Sequence, residues 1–137
     1  MLKTALSFLF FCVSWADQAE LYEFLGHHYV ASFKLCDEKA LKDFSALKTV
    51  FLEATIASGA SVLDYTDYVF HPNGLTMVVL LSESHASLHT YPEHRACFVD
   101  LFTCGSKCKW ENFEAYLKSY LKPECIQYTV LKRGDFE

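Results

Sequence analysis

The stretch LTMVVLLS, residues 75–82, is apolar at nearly every position. A strand with one wet face alternates apolar and polar residues, whereas one that is apolar throughout expects cover on both faces. The sequence HPNG (71–74) before it is a turn signal. Such a strand belongs in the interior of a sheet and is expected to be central. The chain must therefore supply neighbours for it, and this requirement narrows the fold to one built around a sheet.

The neighbours are readable. HHYVASFKLC (27–36) alternates Tyr29, Ala31, Phe33 and Leu35 against more polar residues, a strand pattern. Asp37 is placed to cap a helix carrying Leu41, Phe44, Leu47, Phe51 and Ala54 at helical spacing, ended by Gly59. SVLDYTDYVF (61–70) reads as a second strand, 75–82 as the third and ACFVDLFTC (96–104) as the fourth. Trp110, Phe113, Leu117 and Leu121 stripe a second helix that stops before Pro123. CIQYTVLK (125–132) closes with a fifth strand. The order β-α-β-β-β-α-β predicts an α+β, two-layer sandwich: a largely antiparallel sheet with two helices on one face. The opposite face is left bare and apolar, which predicts a partner; the simplest is a second copy of the chain.

Length and composition limit the rest. With 137 residues, 52% apolar and 21% charged, the chain has material for one domain with its own core. The net charge of -5 and the scattered basic residues lack the footprint of a nucleic-acid surface. Six cysteines invite a disulfide reading only for an exported protein. Cys104 and Cys108 have no companions to complete a metal site, so reduced, mostly buried thiols are expected. Residues 1–24 form an N-terminal extension. Within it, MLKTALSFLFFCVSWAD has the outline of a secretory signal, with a lysine, an apolar stretch and Ser14-Trp15-Ala16, but it is short for a membrane span. The chemistry below points to the cytoplasm; export follows only if residues 1–16 act as a signal.

Chemistry gathers in LLSESHASLHTYPE (80–93) and at Cys104. Ser84 has a carbonyl, that of Glu83, directly before it; a hydroxyl held against that carbonyl converts the amide to an ester. His85 and His89, beside Thr90, offer bases that work near neutral pH. Cys104 ends the strand expected to pair with the one leading to Ser84, and a thiol there is a proton donor. Singly, each residue also fits an ordinary role at a strand end, on the surface or in the core.

In order, they fit one pattern. GLTMVVLLSESHASLHTYPEHRACFVDLFTCG (74–105) closely resembles the bacterial and archaeal, pyruvoyl-dependent S-adenosylmethionine decarboxylase proenzymes. These share a Glu-Ser-His block followed by His-(Ser/Thr)-aromatic-Pro-Glu and then Thr-Cys-Gly. The resemblance starts near Leu25 and covers roughly four-fifths of the chain, a length at which chance matches are few. It implies that Ser84 attacks the Glu83 carbonyl, with Thr76 supporting the tetrahedral intermediate. His89 then removes the Cα proton of residue 84. The cut would leave a β chain, 1–83, and an α chain, 84–137, within a domain spanning 25–137. Ser84 would become a covalent, self-generated pyruvoyl group that holds substrate as a Schiff base, without pyridoxal phosphate or metal. Cys104 would return a proton to the product. Phe70 and Tyr91 match positions facing adenine and sulfonium, and Glu93 matches the acid that binds ribose hydroxyls. The implied activity is decarboxylation of S-adenosylmethionine to the aminopropyl donor of spermidine and polyamine synthesis. The implied assembly is a homodimer of αβ protomers with sites built from both.

The chain departs from the family in its first strand, where Gly26-His27-His28 and Ala31-Ser32-Phe33 stand in place of Gly-Arg-His and Ala-Glu-(Phe/Leu). Tyr91 replaces a common Trp, and His94-Arg95-Ala96-Cys97-Phe98 replaces smaller residues. These changes touch the pocket before the self-cleavage set. Two other readings therefore stand beside the first: decarboxylation of ornithine or arginine by the same cofactor, and a non-catalytic, secreted interaction domain.

Overall fold

A computed structural model of the protein describes residues 24–134. The signal-like segment and nearly all of the N-terminal extension lie outside these residues. The chain forms strand β1 (Gly26–Lys34), helices α1 (Glu38–Lys42) and α2 (Phe44–Ala57), and strands β2 (Val62–Phe70), β3 (Gly74–Leu81) and β4 (Ser84–Tyr91). A 3-10 turn (Pro92–His94), strand β5 (Ala96–Cys104), helix α3 (Trp110–Leu121) and strand β6 (Cys125–Arg133) follow. The six strands make one sheet in the order β2-β3-β4-β5-β1-β6, and every pairing is antiparallel. The expected α+β sandwich is present, with two differences.

The first is an additional strand. Residues 84–91, read as a cluster of polar chemistry at a strand end, form β4, which runs through the middle of the sheet. Its alternation is regular: Ala86, Leu88 and Thr90 are buried under the helices, while His85, Ser87, His89 and Tyr91 take the other face. The polar side chains of one face mask a strand whose other face is core. As a consequence β3 is interior but second from the edge, and the strand ending at Cys104 pairs with β4, Ser84 opposite Thr103, and not with the strand leading to Ser84.

The second difference is a break in the first helix. Asp37 caps α1 by accepting from the Ala40 amide at 2.9 Å, and Asp43 caps α2 by accepting from the Ala46 amide at 3.0 Å. Two capping aspartates six positions apart start two helices, because each satisfies amides that a helix N-terminus leaves free. Gly59, with φ of 93°, then ends α2 in the left-handed region open to glycine.

Helices α2 and α3 cover one sheet face. Tyr29, Phe33, Met77, Leu88, Leu101, Phe51, Phe113 and Leu117 meet there with no solvent exposure beyond 1%. Tyr29 stacks on Trp110 and donates its hydroxyl to Glu114 at 2.6 Å. The opposite face carries no helix. Leu80 is 53% exposed there and Phe98 47%, beside exposed Val78 and Leu131. Gly26 lets Phe102 lie flat across this face, since a Cβ at that position would collide with the ring.

Candidate active site

The predicted residues divide between opposite ends of the sheet. At one end, a cavity of about 700 Å³ is lined by Glu83, Ser84, Phe102, Cys104 and Arg133. Ser84 opens β4 and Cys104 closes β5, so antiparallel pairing brings them side by side. Ser84 Oγ lies 3.5 Å from Cys104 Sγ. The Cys104 amide donates to the Glu83 carbonyl oxygen at 3.0 Å. That carbonyl precedes the Ser84 hydroxyl, and an N–H aimed at it polarises the bond and supports negative charge on the oxygen during attack. The Arg133 guanidinium sits 4.2 Å over the Phe102 ring, a cation–π contact on the cavity wall.

The Glu83 carboxylate is also held. It accepts from the Ser61 amide at 2.9 Å and from the Ser61 hydroxyl at 3.1 Å. Sequence reading missed Ser61. It stands 22 positions from Glu83 in a segment of ordinary strand character, and only the pairing of β2 with β3 brings the two together.

At the other end, a cavity of about 550 Å³ is lined by Phe70, Thr76, His89, Tyr91 and Glu93. Thr76 and His89 are cross-strand partners of β3 and β4, and Thr76 Oγ1 lies 2.9 Å from His89 Nδ1. This contact orients the imidazole through Nδ1 and leaves Nε2 outside the pairing. Tyr91 meets Phe98 edge-on at 5.4 Å and Phe70 meets Tyr68 at 4.8 Å, so both aromatic rings are braced. Glu93 is exposed on the 3-10 turn. Thr90 faces the core, where its hydroxyl accepts from the Leu75 amide at 2.9 Å; its place is structural.

One protomer does not join the two sets. Ser84 and His89 lie at opposite ends of β4, roughly 16 Å apart at about 3.3 Å per residue. His85 does not bridge them: it lies on the bare face against Phe102 and His28, with ring centroids 5.6 and 6.1 Å away. His28 is held below the usual imidazole range, first by burial and then by His85 and Arg133, against the upward pull of Asp100. Its Nε2 is buried without a hydrogen-bond partner among the described residues.

The five described cysteines are free. Cys36 and Cys97 are buried as expected of small apolar side chains, whereas Cys125 is exposed. No group of three or more metal-ligating side chains is assembled among the described residues.

The profile of the S-adenosylmethionine decarboxylase family matches residues 27–134, which contain both clusters. The chain belongs to the S-adenosylmethionine decarboxylase family. It is 39% identical over 114 residues to the S-adenosylmethionine decarboxylase proenzyme of Caldanaerobacter subterraneus subsp. tengcongensis, covering 82% of this chain and 91% of that relative. It is 36% identical over 113 residues to the proenzyme of Methanococcus maripaludis strain C5, covering 82% and 93%. The crystal structure of the adenosylmethionine decarboxylase from Aquifex aeolicus VF5 superposes with a TM-score of 0.75 at 33% identity, over 82% of this chain and 93% of that one. The match takes in bacterial and archaeal members, in agreement with the prokaryotic proenzyme type read from the motif.

Proposed function

We propose that the chain is a self-cleaving, pyruvoyl-dependent S-adenosylmethionine decarboxylase that works as a homodimer. The observation that carries this reading is the arrangement at residue 83: its carbonyl receives the Cys104 amide at 3.0 Å while the hydroxyl of the next residue touches the Cys104 thiol at 3.5 Å. Ser84 Oγ attacks the Glu83 carbonyl carbon, the carbon–nitrogen bond breaks, and an ester joins 83 to 84. Removal of the Cα proton of residue 84 expels the Glu83 carboxylate. The dehydroalanine left behind takes up water and loses ammonia, giving pyruvoyl at position 84 of an α chain, 84–137. The β chain is 1–83, and residues 25–137 form the catalytic domain.

The base for the proton step is His89, oriented by Thr76. Because His89 lies at the far end of its own β4, the shared step needs His89 of the partner subunit. Two bare sheet faces stacked about a two-fold axis across the strands set the Ser84 end of one against the His89 end of the other. This arrangement covers Val78, Leu80, Phe98 and Leu131, whose exposure in one chain otherwise has no compensation. Phe70, Tyr91 and Glu93 then reach the same chamber from the partner side, with rings for the adenine and sulfonium and a carboxylate for the ribose hydroxyls.

The pyruvoyl group supplies a carbonyl that captures the substrate amine and accepts the electron pair freed with carbon dioxide. Cys104, beside position 84, delivers the proton that replaces the lost carboxylate. Intact-mass spectrometry tests the reading. The expected result is two fragments, one ending at Glu83 and the other blocked at its amino terminus, together with carbon dioxide release from S-adenosylmethionine. A chain that stays whole on prolonged incubation overturns it, and release from ornithine or arginine instead reassigns the substrate.

A further inference from the structure

The turn that carries the scissile bond is short and has no glycine: β3 ends at Leu81, β4 begins at Ser84, and only Ser82 and Glu83 lie between. Tight hairpin turns usually obtain their shape from Gly, Asn or Asp. Here the shape is imposed from outside, by Ser61. The Ser82 amide donates to the Ser61 carbonyl at 3.0 Å, and Ser61 returns its own amide and hydroxyl to the two oxygens of the Glu83 carboxylate at 2.9 and 3.1 Å. Ser61 is itself tied down. It follows the end of α2, where the Ser58 hydroxyl donates to the Thr55 carbonyl at 2.6 Å and accepts from the Ala60 amide at 3.3 Å, and where the Ser58 carbonyl accepts from the Lys109 amide at 2.8 Å.

Residue 83 is thus gripped at two points, its carboxylate by Ser61 and its carbonyl by Cys104. A half-buried glutamate held by both oxygens forgoes its rotamer freedom, and hydrogen bonds to a carboxylate are the strong kind that offset such a cost. The same carboxylate lies near Cys108, whose thiol is raised first by burial and then by the Glu83 charge.

We propose that Ser61 is a positioning residue for self-cleavage: by clamping the Glu83 carboxylate it fixes the plane of the 83–84 amide, so that the carbonyl is presented together to Ser84 Oγ and to the Cys104 amide. The role rests on the self-cleavage reading above and acts on its first step, the passage from amide to ester. The reacting bonds are those already described; Ser61 gains and loses nothing.

The test follows the cut by intact mass in freshly purified full-length Ser61→Ala, Ser61→Thr and wild-type chains, each with and without hydroxylamine, alongside melting temperatures. Ser61→Ala keeps its amide contact and loses the hydroxyl. It is expected to cleave about tenfold more slowly, the effect of a modest loss of orientation on a rate. Ser61→Thr is expected to restore most of the rate. Hydroxylamine, which releases esters, is expected to leave the Ser61→Ala block in place, because the block precedes the ester. Little change in melting temperature is expected, since Ser61 is exposed. The inference is overturned if Ser61→Ala cleaves at the wild-type rate, if hydroxylamine frees it promptly, or if Ser61→Thr is as slow as Ser61→Ala. A wild-type chain that never cleaves overturns the underlying function, and this inference with it, and is distinguished by the wild-type arm alone.

Discussion

A hydroxyl and a thiol in contact at Ser84 and Cys104 are assigned consecutive duties, one before the cut and one after it, so their variants are expected to fail differently. Ser84→Ala removes the nucleophile and should remain a single uncut chain, seen as one mass. Cys104→Ala keeps the amide that holds the Glu83 carbonyl, so it should still cleave. Turnover should then fall by about 10²- to 10⁴-fold, the usual worth of a positioned proton donor, measured as carbon dioxide release per cleaved chain. His89→Ala should stop at the ester, and hydroxylamine should release it. The residues behind these expectations were legible through the spacing of a long motif. Ser61 was not, because its partner is a carboxylate 22 positions away, and no local pattern marks a serine that holds a distant side chain.

At the scale of elements, β4 shows how chemistry disguises structure. His85, His89, Thr90 and Tyr91 mark it as a site in the sequence, while Ala86, Leu88 and Thr90 itself build the core at period two. Leu88 is fully buried, and Leu88→Ala should cost about 2–5 kcal/mol, the range for cavities cut into packed cores, read from urea unfolding of the uncut Ser84→Ala chain. The divided first helix makes a smaller claim. Asp43→Ala should cost about 1 kcal/mol by removing the α2 cap, checked in the same assay. The apolar spacing across Leu41, Phe44 and Leu47 is continuous enough to hide the break, which the side chain of Asp43 creates by accepting the Ala46 amide.

For the whole molecule, the proposed reaction draws on two half-sites separated along one strand, so under that proposal assembly is a condition of chemistry. Mixing Ser84→Ala with His89→Ala is the direct check. Neither variant should complete the cut alone. After subunit exchange, the mixture should process His89→Ala chains, because one site then combines their Ser84 with the partner's His89. A mixture that stays uncut, with exchange demonstrated by mass-tagged subunits, contradicts the shared site. The bare face also predicts a response to acid. Burial, His85 and Arg133 depress the imidazole of His28 below its unfolded value, and Asp100 opposes them only in part. A group depressed in this way binds fewer protons folded than unfolded, so its contribution to stability is present above about pH 6.5 and is lost as pH falls through the folded value. His28→Gln should flatten the acid side of the stability profile, measured by urea unfolding between about pH 7.5 and 5.

The sequence by itself determined what is periodic or contiguous: the α+β sandwich, most strand and helix bounds, the bare sheet face and the Glu83-Ser84 motif. These are read along the chain, where a period of two or 3.6 or a run of consecutive residues carries the signal. The tertiary structure alone decided what is joined across the chain. It placed Cys104 against Ser84 through the β4–β5 pairing, fastened Ser61 to Glu83, and set Thr76 and His89 at the opposite end of the sheet. The physical reason is that register and strand order fix which distant residues meet, and both are set by the packing of the whole sheet against its helices, which no local stretch contains.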